Sequence, residues 1–193
     1  MTRTGEAGAS LFELVVTVAL VATVTGLGAP LVVHARDDNE GRQAAMFLAG
    51  QLRLARQHAV LTGRHTAIVF DLIADAWQFS VCVDEDGDGV LRSDMATGVD
   101  RCQAAPQPLA SWFSRASIHR ASAVPDLSGN TDGAIVAFGT ARMASFSPLG
   151  TASSGSVTIM TRGGRHFAIR VAGVTGRVRL WRFLPETRRW QEW

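Results

Sequence analysis

The chain has 193 residues, the length of one ordinary domain, and 47% of them are apolar against 19% charged, which excludes a disordered or low-complexity chain. Nineteen basic residues against seventeen acidic leave a net charge of +2, too balanced to mark a nucleic-acid protein by charge alone. All the basic residues are Arg, and two Cys with five scattered His leave no four-ligand zinc set at standard spacing.

The apolar excess sits at the N-terminus. Residues 14–33 read LVVTVALVATVTGLGAPLVV without a charge, and about twenty helical residues span about 30 Å, the thickness of a bilayer core. A polar segment with Arg3 and Glu6 precedes the run, Glu13 stands at its lip, and Arg36, Asp37, Asp38 and Glu40 follow. A cleavable signal peptide ending near Ala35 fits the small-residue rule, but the run exceeds the ordinary apolar core of such a signal. A plain membrane anchor explains the length and leaves Glu13 unexplained, since a carboxylate at the edge of a hydrocarbon segment marks a functional site by default.

Further along, Ala44, Leu48, Leu52, Ala55 and Ala59 fall on one helical stripe. The spacing predicts a helix over 41–61, following a break around Asp37–Glu40 and closed by Gly63 as C-cap. Beyond it the pattern turns to strands: 65–72 and 77–83 flank a hairpin turn at 73–76, and 117–120, 134–138, 144–146, 156–161, 166–171 and 177–183 follow between Gly- and Pro-bearing turns. Short strands without intervening helices predict antiparallel sheets packed on the helix, an α+β fold.

Gly8-Ala9-Ser10-Leu11-Phe12-Glu13-Leu14 resembles the processing site of type IV prepilins: a Gly, the cut, four mostly apolar residues, then Glu as the fifth mature residue. Pro30 falls at mature position 22, where pilins commonly carry a helix-kinking proline. Ala9 in place of the usual Phe, and Glu6 in a leader that is usually basic, depart from that pattern. Three later stretches make the chain similar to the GspH/FimT group of minor pilins and pseudopilins. They are Arg56-Gln57-His58-Ala59 running into Ile68-Val69-Phe70, then Phe146-Ser147-Pro148-Leu149-Gly150, then Val174-Thr175-Gly176-Arg177-Val178-Arg179.

The resemblance implies a type IV pilin-like fold in four parts: leader 1–8, membrane-spanning and filament-core helix 9–33, amphipathic continuation 34–63, and a β-rich periplasmic head 64–193. It implies cleavage after Gly8 by prepilin peptidase, N-methylation of Ala9, and pairing of Glu13 with a neighbour's free amine. The expected location is the bacterial inner membrane, then the pilus or pseudopilus. The expected partners are other pilins or pseudopilins, the assembly platform, and lipid before assembly. In a periplasmic head Cys82 and Cys102 are free to form a disulfide. Type II secretion and type IV pilus membership both stand open, as does a tethered periplasmic module that never joins a filament.

Two further sites come from the residues. Asp84, Asp86 and Asp88 have the D-x-D-x-D-G spacing of a calcium loop, but position twelve is Met95 where a bidentate Glu is needed. Calcium is therefore the one cofactor considered, against a plain acidic surface turn. Residues 84–100 carry six acids against Arg92, and residues 162–193 carry eight Arg against two Glu. Gly176-Arg177-Val178-Arg179 resembles the G-R-x-R element of DNA-binding minor pilins. Strand alternation would set Arg177, Arg179 and neighbouring Arg182 toward phosphates, with Trp181, Trp190 and Trp193 for stacking. No nucleophile elbow, zincin helix, P-loop or dinucleotide fingerprint is present in the sequence, so no enzymatic activity is expected.

Overall fold

The computed structural model describes residues 10–193, with side chains at 24 and 26–34 outside the description. Two compact units divide the chain, residues 1–36 and residues 37–193.

A single helix, α1 (Leu11–Thr62), belongs to both. In the first unit its described side chains are exposed and mostly apolar: Leu11 is 83% exposed, Leu20 59% and Val21 66%. Among the described residues no helix is long and apolar enough to cross a membrane. Much of the apolar run 14–33, Pro30 included, lies outside the described side chains.

In the second unit the predicted stripe is buried. Ala44, Leu48, Leu52 and Ala59 are fully covered and Ala55 nearly so, and Ala45 and Ala49 widen the face. Alanines dominate this stripe because strands approach the helix closely; Gly41 shows the limit, since a Cβ there would stand 2.4 Å from Phe167 and Thr161. Gly63 ends the helix at φ +69°, its N–H reaching the Ala59 carbonyl at 3.1 Å, a conformation that Gly adopts without a Cβ penalty.

The expected break at Asp37–Glu40 does not occur, and the helix runs through. The acids there are partners of the head and not helix breakers. Asp37 is buried and accepts from the Thr161 hydroxyl, the Gly163 N–H (3.0 Å) and Arg115 Nε (3.2 Å), while Glu40 accepts the Arg115 N–H at 2.8 Å. Three acids within four residues read as a break only when their partners, more than seventy positions away, are unseen.

Among the described residues eleven strands form two antiparallel sheets. In the first, β1 (Thr66–Ile73) and β2 (Ala76–Val83) make a hairpin whose two-residue turn holds Ala74 and Asp75 at positive φ. The short β3 (Arg101–Cys102) and β4 (Gln107–Pro108) lie along β2, and β7 (Met143–Phe146) lies on the far side of β1. In the second sheet, β8 (Gly155–Thr161), β9 (His166–Val171), β10 (Val178–Leu184) and β11 (Arg189–Glu192) form a meander. Strands β5 (Ala116–Ile118) and β6 (Val136–Ala137) pair with β8. The helix stripe joins side chains of both sheets in one core, with Phe70 stacked on Phe138 at 5.8 Å.

Five elements went unread in the sequence: α2 (Arg92–Thr97), β3, β4, a single 3₁₀ turn at Leu109–Ser111, and β11. None exceeds six residues, too short for a hydrophobic period to show. The strand expected at 117–120 stops at Ile118, because the Arg120 side chain turns inward to cap a loop.

Candidate functional site

Gly8 and Ala9, the expected processing residues, lie outside the described residues. Glu13 sits in the first turn of α1, exposed among Leu11, Phe12, Leu14 and Val15. Pro30 lies within α1.

The three stretches that carried the family resemblance meet at one point of the head. Arg56 of α1 donates from Nε to the Gly150 carbonyl at 3.0 Å, and a Cβ on Gly176 would stand 2.6 Å from that same Nε. Gly150 and Gly176 both take positive φ, at +79° and +60°. Arg53, one turn earlier, reaches the Val178 carbonyl at 3.4 Å. The glycine of the G-R-x-R element thus lets a helix guanidinium pass under the β9–β10 turn, a packing requirement with no ligand attached.

The arginines of that element divide. Arg177 and Arg179 are exposed, and Arg179 pairs with Glu192 at 3.2 Å. Arg182, at odd spacing from both, stands opposite Phe167 on β9 and holds Gln191 through two hydrogen bonds. The register therefore does not put all three on one face. Trp193 is likewise not free to stack on a base: it packs edge-on to Phe167 and under the Arg42 guanidinium at 4.9 Å.

The acidic loop is built by its own backbone. The buried Asp84 takes the Gly87 N–H on one oxygen (2.7 Å) and the Gly89 N–H on the other (3.0 Å). Asp100 holds the Leu91 N–H at 2.8 Å and the Glu85 N–H at 3.3 Å. Burial works to raise the Asp84 pKa, but the hydrogen bonds from Gly87 and Gly89 and the Asp86 side chain outweigh it, leaving it below 3.8. Asp88 moves up from 3.8, through lost hydration in the turn first and then the carboxylates of Asp86, Asp94 and Asp84.

Oxygens of Asp84, Asp86 and Asp88 lie within 4.8 Å of one another, close enough to share a hard cation. Calcium takes about six to eight oxygens; these three carboxylates offer part of such a set, and Met95, on α2, supplies no oxygen. Glu85 pairs with Arg64, so the loop is also tied to the end of α1. Behind it, Cys82 and Cys102 form a disulfide between directly opposed residues of β2 and β3. It closes the excursion 83–101 that carries the acids and α2.

Sequence reasoning missed the clamp over the outer face of the second sheet. Arg120 is buried, and its guanidinium donates to the carbonyls of Val124, Thr131 (3.0 Å) and Gly133, closing the loop 120–133 on itself. The buried His166 of β9 accepts the Ala121 N–H on Nε2 at 3.1 Å. Burial holds its pKa below 6.5; the Gly164 backbone opposes this, and His119 and Arg120 add to it. Trp190 Nε1 donates to the Pro125 carbonyl at 2.9 Å and Arg188 to the Ala123 carbonyl at 3.2 Å. A lone Arg and a lone His in unrelated contexts gave no sign of this; the Asp126–Asn130 turn, whose Asp126 carboxylate accepts the Ser128 and Asn130 N–H groups, was the only local signal.

Helix-on-sheet heads with an apolar N-terminal helix define a pilin-like class of protein. The family model for type II transport protein GspH matches residues 44–176. This span covers more than half of the chain, and the chain belongs to that family. The match runs from the buried stripe of α1 to the Gly176 against which Arg56 packs. No curated protein and no solved structure matches. Membership implies a type II secretion minor pseudopilin, a structural subunit that contacts other pseudopilins.

Proposed function

We propose that the chain is made as a prepilin, cut after Gly8 by prepilin peptidase, held in the inner membrane by residues 9–33, and assembled into the tip or initiation complex of a type II secretion pseudopilus. It works by placement: helix packing fixes the subunit, and the head presents contacts to its neighbours. The observation that carries this reading is the contrast along α1. The head buries the stripe from Ala44 to Ala59, whereas the described side chains from Leu11 to Val21 are exposed apolar groups with Glu13 among them. Exposed apolar surface on that scale calls for lipid or other helices.

Glu13 tells an assembly subunit from a simple tether. A carboxylate packed among apolar helices needs a cationic partner, and the amine freed at Ala9 of a neighbour has the chemistry to provide one. Glu13→Ala should leave membrane association and head stability intact and abolish incorporation into filaments, read by shearing and immunoblotting of pseudopili. Wild-type incorporation of the variant would reduce the chain to a membrane-tethered module.

A further inference from the structure

The charge of the head is segregated and, in large part, unspent. Residues 162–193 carry eight Arg against two Glu, and among the described residues the ion pairs take only one of those arginines, Arg179. On this basic side a cavity of about 380 Å³ lies between the loop 125–129 and strands β9 to β11, lined by Arg170, Trp181, Arg188, Arg189 and Trp190.

Its polar groups are nearly all donors. Arg170 and Arg189 are exposed, with no hydrogen bond or ion pair among the described residues, and Arg170 stands directly opposite Arg179 on β10. Like charges opposed across strands destabilise a sheet; Glu192 already pairs with Arg179, which leaves Arg170 as the one of the two without an anion. The Trp181 indole N–H is covered and meets no acceptor within the described residues. The one carboxylate on the wall, Asp126, has an oxygen engaged by the Ser128 and Asn130 N–H groups.

We infer that this cavity is a docking site for an acidic segment of a partner polypeptide, whose carboxylate side chains enter between Arg170 and Arg189. Guanidinium forks match carboxylates in two-point hydrogen bonds. The volume suits one or two side chains, and Pro125 and Leu127 give the loop wall an apolar surface for their stems. Asp126 in that wall, and a chain whose net charge is only +2, weigh against a continuous polyanion such as a nucleic-acid strand. The site adjoins the G-R-x-R element at Arg179, but Arg177 and Arg179 do not line it, and it rests on the head alone, independent of whether the chain enters a filament.

The test is fluorescence anisotropy of a labelled poly-glutamate peptide titrated with the full chain in neutral detergent at low ionic strength. The expected result is saturable binding that weakens about tenfold or more in Arg170→Gln/Arg189→Gln, because two charge-assisted hydrogen-bonding partners are removed together. It should survive in Arg177→Gln. Arg188 is left unchanged because it ties down the loop, and a thermal melt of each variant confirms the fold. Binding equal in wild type and the Arg170/Arg189 variant overturns the proposal, as does no binding at all. Tighter binding of a single-stranded oligonucleotide of matched charge through these same arginines would overturn it in favour of nucleic acid.

Discussion

The two halves of α1 share one helix, yet among the described residues only one half has its partner inside the chain. From Asp37 to Thr62 one face is closed by both sheets, and its alanines, Gly41 and buried Asp37 each answer a specific neighbour. From Leu11 to Val21 the apolar side chains face outward, and the one charge among them, Glu13, is exposed. A hydrophobic stripe by itself does not say whether its complement is intramolecular. The periodicity differs, however: the head half is apolar on one face only, as a helix on a sheet must be, while the outer half is apolar all round, as a helix meant for lipid or for other helices must be.

Substitutions separate the halves most sharply where burial is complete. Leu52→Ala should cost about 4 kcal/mol in denaturant unfolding, from lost transfer energy and the cavity left behind, whereas Val21→Ala should leave the head within about 0.5 kcal/mol of wild type. Equal losses would erase the distinction. Reduction of the Cys82–Cys102 bridge, which spans 20 positions, should lower stability by about 3 kcal/mol through the loosened unfolded chain, with no effect on the outer half. Asp37→Asn should cost about 2 kcal/mol, because an amide cannot serve Thr161, Gly163 and Arg115 as the carboxylate does. A neutral result there would mean that the helix docks by its apolar stripe alone.

Most of this division was legible beforehand. The stripe from Ala44 to Ala59, the Gly63 cap, the β1–β2 hairpin and the long strands β8 to β10 follow from local periods and turn residues that need no knowledge of the rest of the chain. The continuity of α1 was not legible, because Asp37 and Glu40 look like breakers until Arg115 and Thr161 are folded against them. The Arg120 clamp and the basic cavity were also hidden. They depend on loop 120–133 lying over a sheet whose contacting residues are found 45 to 65 positions later, and sequence spacing carries no trace of such a contact. The G-R-x-R element was visible, but its glycine had a use the sequence could not reveal, since the space it leaves belongs to Arg56 on another element.

The clamp offers a gentler perturbation. His166 is held below its unfolded value of 6.5 by burial, so the unfolded chain takes up its proton first. Stability is full above 6.5 and is lost as the pH falls from there through the lowered folded value. The melting temperature should decline over that interval, and His166→Gln should flatten the decline; an unchanged slope would remove His166 as its source. Smallest of all, Glu192→Gln should change stability by less than about 1 kcal/mol, because its pair with Arg179 is exposed on both sides.

The outer half of α1 is where the account stands or falls, and its most direct test is the N-terminus of the protein in its own membrane. Intact mass and N-terminal sequencing should be done on chain extracted from cells with and without prepilin peptidase. A mature chain beginning at Ala9, formed only when the peptidase is present, is the predicted result. An uncut chain in both strains, or one cut near Ala35 regardless of the peptidase, would contradict assembly as the use of that helix.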